Sequence, residues 1–235
     1  MPRLVKDPVR GNRVSNGPTD DGRNTRWDSH REARRAELVE AAVAAIDEHG
    51  PSASIADIAA SAGVSKPVLY RYFSDKDDLY RAVGHWGADE VVQAIVPTLL
   101  GDRPVRARVE RACTHYLTLI ARHPNVFFLL VDHPNNQDPF ADGKEMIAAA
   151  FARTLNDALS ELGVDASGAE PWAYGVLGFG LSTGEWWLRR QTMSKAAVSR
   201  HLSSFIWNAF EGIARENGVR IDATGRLSLL PGRKA

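Results

Sequence analysis

The sequence predicts an all-α protein: an N-terminal three-helix head containing a helix-turn-helix, followed by a C-terminal helical bundle. Three observations carry this. Residues Ser54 to Lys76 read as two short helices around a glycine turn and the start of a third. Apolar residues then recur at three-and-four spacing, with no alternating strand pattern of useful length after Ser29. Proline and capping residues punctuate the later stretches.

Residues 1–27 are rich in Gly, Pro, Asn, Asp and Arg and lack a hydrophobic period, so they are expected to form a disordered tail. Their six Lys or Arg outnumber three Asp, giving +3. A solvated tail is the plainer reading; a basic arm reaching phosphates or a minor groove is the sharper one. The head is expected over 28–83. Leu38, Ala41, Ala42, Ala45 and Ile46 form a buried stripe on its first helix. Ser54 can cap the second helix with Asp57 three residues on, while Ile55, Ile58 and Ala59 make its apolar face. Gly63 supplies the positive φ of a tight turn. Ser65 caps the next helix, where Pro67 sits in the first turn without losing a needed N–H. Leu69 and Phe73 share its inner face, leaving Lys66, Tyr70 and Arg71 on the other. Ser74 with Asp77 is expected to cap a fourth, linking helix that carries Leu79, Tyr80 and Val83 and stops near Pro97. Further starts fall at Asp102-Arg103-Pro104, His123-Pro124, Asp138-Pro139, Glu170-Pro171 and Ser194. The bundle is expected over 84–222 and a flexible tail over 223–235.

With 44% hydrophobic and 25% charged residues in 235, the chain has the composition of a globular protein. The single Cys113 excludes an intrachain disulfide. No apolar leader or twenty-residue apolar span is present, so a cytoplasmic location without membrane association is expected. The formal net charge of zero argues at first against a nucleic-acid partner. Distribution matters more. Residues 28–83 carry −3, yet the stretch Ser65 to Lys76 holds Lys66, Arg71 and Lys76 against Asp75 alone. A small electropositive face lies where a major groove would be read.

Between Arg31 and Val83 the chain resembles the TetR family of transcriptional regulators. The resemblance rests on an opening helix ending at Gly50, then Ile58-Ala59, Ala62-Gly63-Val64-Ser65, Leu69-Tyr70-Arg71-Tyr72-Phe73 and Lys76-Asp77-Asp78-Leu79. Beyond Val83 only length and helical patterning match. The resemblance implies a double-stranded operator as partner, with phosphate contacts from Ser54, Lys66, Tyr70, Tyr72 and Lys76. Ser65, Lys66, Pro67 and Arg71 are the candidates for base edges. Tyr72 is equally readable as a core aromatic. Pro67 and Val68 stand where the family often has Gly and Thr, so base specificity does not carry over.

The last helical stretch bears Leu202, Phe205, Ile206, Ala209 and Phe210 on one stripe, and Gly175, Gly178 and Ser182 precede it as small residues suited to close helix approach. Either a single bundle buries both surfaces or a dimer does. The resemblance implies the dimer, whose two heads would read two half-sites. Tyr116, Phe127, Phe128, Met146, Phe151, Trp172, Phe179, Trp186 and Trp187 make this half aromatic-rich. Each reads singly as core, and together they suit a mostly apolar pocket for a small apolar or amphipathic effector. No cofactor is signalled.

Gly180-Leu-Ser182-Thr-Gly184 matches a nucleophile-elbow pattern, which works only on a strand-to-helix turn. No strand precedes it, so packing is the expected role and catalysis is not. His115, His123, Asp132, His133 and Asp138 cluster without metal-ligand spacing and are expected to be solvated or capping. The expected function is an effector-responsive repressor binding a palindromic operator as a dimer. The rivals are an α-helical hydrolase using Ser182 and an architectural DNA binder without a pocket.

Overall fold

Nine helices and one short hairpin make up the described residues, which in this computed structural model are 21–132, 138–222 and 227–229. The helices are α1 (Asp21–His49), α2 (Ile55–Ser61), α3 (Lys66–Leu69), α4 (Lys76–Leu99), α5 (Val105–Arg122), α6 (Pro124–Val131), α7 (Ala141–Glu161), α8 (Ala169–Arg190) and α9 (Lys195–Glu216). Strands β1 (Val219–Ile221) and β2 (Leu227–Leu229) pair antiparallel, Val219 opposite Leu229. Two compact units divide the chain, Met1–Ala36 and Glu37–Ala235. In the first, helix runs through Ala36, with Arg34 and Arg35 half-buried among otherwise exposed described side chains.

In the second unit, the signals of α2 and of the glycine turn after it act as read. Ser54 Oγ accepts from the Asp57 N–H at 3.2 Å, and the Asp57 carboxylate takes the Ser54 N–H at 2.8 Å, a reciprocal capping box. The hydrogen bonds from Ser54 hold Asp57 below the usual carboxylate range. Gly63 has φ 63°, which turns α2 into α3. Ile58, Leu69, Phe73, Leu79 and Val83 are fully enclosed with Leu38 and Ile46 of α1. Val126 and Leu129 of α6 and Phe140 before α7 complete this cluster, so the reading head and part of the bundle share one core. A second cluster joins α5, α6, α8 and α9 around Leu117, Phe127, Trp187 and Leu202.

Several boundaries differ from the expectation. The stretch 1–27 is not all tail, since α1 runs from Asp21; residues 23–49 contain neither Pro nor Gly to stop it. The basic-arm reading covers 1–27, of which residues 1–20 lie outside the described residues. Asp75, not Ser74, is the N-cap of α4: it accepts from the Asp78 N–H at 2.7 Å, and Asp78 in turn takes the Ser74 N–H at 2.9 Å. That shift moves the capping pair by one residue and lowers the Asp75 pKa. The strand β2 falls inside the expected C-terminal tail, of which 223–226 and 230–235 lie outside the described residues. Three-residue strands are too short for a period-two signal to register. Pro97 lies inside α4, which ends two residues later.

Candidate nucleic-acid interface and apolar cavity

Helix α3 and the turn after it present Ser65, Lys66, Pro67, Tyr70 and Arg71 to solvent, with Lys76 exposed at the start of α4. Burial of Leu69 and Phe73 on the inner side fixes this orientation. Tyr70 is 47% exposed, unusual for an aromatic of this size and suited to a phosphate-facing hydroxyl. Ser65 occupies the N-cap position but makes no side-chain capping bond, which leaves its hydroxyl to an outside partner. Lys76 Nζ stands 4.9 Å above the Tyr80 ring, a contact that supports the side chain without neutralising it. Two expected DNA residues are placed less favourably. Tyr72 is half-buried against the head core, and the Ser54 hydroxyl donates to Asp57 Oδ2 at 2.6 Å, so a carboxylate already occupies that helix start.

The bundle forms a partly open apolar cavity of about 320 Å³ between α4, α5, α6, α7, α8 and α9. That is within the range of about 300–1,000 Å³ found for ligand sites. Four of the nine expected lining residues reach it: Tyr116, Phe127, Phe151 and Trp172. The other five do not. Phe128 lies under the Arg189 guanidinium at 4.7 Å, and Phe179 stacks on Phe205 at 4.4 Å. Trp187 is buried with its Nε1–H donating to the Met193 carbonyl at 3.0 Å. Met146 is half-buried off the cavity wall, and Trp186 is exposed. Missed by sequence reading were Trp86, Val91 and Ile95 of α4, Arg108 of α5, and His123. The α5 signal was present: Val105, Val109, Ala112, Cys113 and Tyr116 mark an apolar stripe, and Arg108 interrupts it.

Burial governs the chemistry of the α5 wall. Desolvation pushes the Cys113 thiol up to about 12 and raises the Tyr116 phenol as well, so both are neutral. Tyr116 donates to the Gly180 carbonyl at 2.8 Å. Val126 and Phe140 belong both to the head core and to the cavity wall.

The stripe assigned to dimerisation divides in two. Leu202 is only 3% exposed and lines the cavity with Ile206 and Phe210, because α9 also packs on α5. Gly175, Gly178, Ser182, Phe205 and Ala209 face solvent, and Phe205 is 61% exposed. A Cβ at Gly175 or Gly178 would meet no atom. This outer α8–α9 face is rich in small residues around the exposed Phe205, which stacks on the half-buried Phe179.

Ser182 lies within α8, so the sharp turn that a nucleophile elbow needs is not formed there. The His and Asp side chains expected to be solvated or capping make separate protein contacts. His123 bonds Asp47, Asp132 pairs with Arg189 at 2.5 Å, and Asp138 pairs with Lys144 at 2.6 Å. His115 Nδ1 lies 3.1 Å from the Ala94 carbonyl, and His133 lies outside the described residues. Among the described residues no three metal-ligating side chains gather, and no helix is long and apolar enough to cross a membrane.

Residues 38–83 match the family model for bacterial regulatory proteins of the tetR family, and residues 94–221 match that of the tetracyclin repressor-like C-terminal domain. An uncharacterized HTH-type transcriptional regulator of Mycobacterium tuberculosis is 33% identical over 201 residues, covering 84% of this chain and 86% of that protein. The HTH-type transcriptional activator FasR of Mycolicibacterium smegmatis is 26% identical over 90% of this chain and 93% of its own. A tetR-family regulator from Streptomyces coelicolor has a similar fold, with TM-score 0.64 and 23% identity over 80% of this chain and 86% of that one.

Proposed function

The chain belongs to the tetR family of bacterial regulatory proteins and is a helix-turn-helix transcriptional regulator, and from that premise we propose an effector-released repressor acting as a homodimer on a palindromic operator in the cytoplasm. Lys66, Tyr70 and Lys76 hold phosphates; Ser65, Pro67 and Arg71 face base edges, where Arg71 favours guanine. One head reads too few base pairs for strong specificity, and two related by a two-fold axis read half-sites about 34 Å apart. The outer α8–α9 face, with Phe205 and Phe179 stacked at its centre, supports the dimer. A dimer covering its operator blocks other users of that DNA.

One observation carries the coupling. Val126 and Phe140 have one side in the head core and the other in the cavity wall, so a molecule filling the cavity displaces atoms against which the reading head is packed. Close-packed cores shift between discrete arrangements, and an effector weakens DNA by its differential affinity for the arrangement that spaces the heads wrongly. This favours a ligand-responsive regulator over an architectural DNA binder. Genome-wide recovery of bound DNA, followed by release of the recovered operator by small apolar compounds, tests the reading. Transcript levels in a deletion strain decide the sign. Binding without sequence preference, or an operator that no cavity-binding compound releases, would refute it.

A further inference from the structure

Besides its apolar lining and the neutral Cys113 and Tyr116, the cavity wall carries four acidic or basic side chains: Glu90, Arg108, His123 and Lys144. Two are matched by protein groups, His123 by Asp47 at 2.5 Å and Lys144 by Asp138 at 2.6 Å. Arg108 is not. Its Nη1–H donates to the Leu99 carbonyl at 2.6 Å, and its Nε is buried with no hydrogen-bond partner among the described residues. No carboxylate among the described residues forms an ion pair with it. Glu90 does not balance it, since it stands nine residues before Leu99 on α4, about 13 Å along the axis. No Glu90 oxygen is a buried unpaired atom.

A guanidinium does not shed its proton to escape burial, and an unpaired buried N–H of a charged group is costly. With Nη1 spent on Leu99, the Nε–Nη2 edge is left, and that edge matches the two oxygens of a carboxylate. The rest of the wall offers an alkyl chain almost nothing but carbon. We infer that the cavity takes an amphipathic carboxylate, its alkyl chain along the apolar wall and its head group bidentate on Arg108. This deepens the effector reading above and rests on it.

The test uses the full-length protein and two probes with the same chain and different heads, dodecanoate and 1-dodecanol. Binding is followed by calorimetry and by emission of Trp86, Trp172 and Trp207, all on the wall. Dodecanoate should bind about tenfold more tightly than dodecanol, the worth of one charge-assisted pair. Arg108→Gln should remove that preference while leaving dodecanol affinity unchanged, and Arg108→Lys should keep part of it. Should the Gln variant misfold, the wild-type comparison and the Lys variant still decide. Equal affinity for the two probes, no binding of either, or a preference surviving in Arg108→Gln would overturn the assignment. Operator titration of the same samples separates the two readings. Carboxylate-selective binding that never releases DNA refutes the effector role alone, and release by some other compound, with no carboxylate preference, refutes this inference alone.

Discussion

His123 Nδ1 stands 2.5 Å from Asp47 Oδ2, tying the start of α6 to the end of α1. Asn125 Nδ2 adds a bond to the Asp47 carbonyl at 2.9 Å, and the Trp86 ring meets His123 edge-on at 5.3 Å. His123 and Trp86 also line the cavity, so this strap runs from cavity wall to reading head. Asp47 Oδ1 is buried without a partner among the described residues, which makes His123 the main compensation for that carboxylate. His123→Ala should therefore destabilise by about 1–3 kcal/mol, the cost of an orphaned buried acceptor. Asp47→Asn should cost less, and the double variant little more than His123→Ala. Urea unfolding in a double-mutant cycle measures this, and additive losses would show that the contact is incidental. Operator affinity without effector should change less than the response to effector.

Helices α4 and α7 cross where two glycines face each other. A Cβ on Gly143 would lie 2.8 Å from the Gly84 carbonyl oxygen, and backbone cannot swing aside. Gly143→Ala should thus lower stability by about 1–3 kcal/mol through overpacking. Gly180→Ala is the contrast: its Cβ would find the Tyr116 ring at an ordinary 3.9 Å, and the helical preference of Ala should stabilise by about 0.5–1 kcal/mol. Melting temperatures moving in the same direction for both would contradict the packing described.

The head was legible because its signals are local. A capping serine with an acid three residues on, one glycine at positive φ, and Leu69 with Phe73 one turn apart leave little freedom within twenty residues. The bundle was less so, because periodicity says that a face is apolar and not which way it points. Phe127 and Phe128 are adjacent, yet one lines the cavity and the other lies beneath Arg189. Leu202 and Phe205 share a stripe, one enclosed and one in solvent. Asp47 and His123 are 76 residues apart, a distance over which no local rule operates.

Lys76 tests the DNA face. It is exposed, forms no ion pair among the described residues, and rests on the Tyr80 ring, so Lys76→Ala should leave folding intact. Affinity should fall by a similar factor for all sequences, and the log–log salt slope should flatten by about one. Fluorescence anisotropy across a salt series reads both quantities. A loss confined to one base pair would instead assign Lys76 to direct readout.

Ala209 tests the proposed dimer, because it is exposed in the protomer while its stripe neighbours Ile206 and Phe210 turn inward to the cavity. A carboxylate there is harmless to an isolated chain. Across a two-fold interface the same change buries two unpaired charges, which costs far more than rim contacts return. Ala209→Glu should therefore dissociate the protein to folded monomers and weaken operator binding steeply, although the reading helices are untouched. Gly178→Leu should act likewise, since a side chain there has open space in the protomer and would separate the two helix pairs. Sedimentation velocity, circular dichroism and operator titration on the same samples decide the matter: folded dimers with wild-type affinity in both variants would place the interface elsewhere.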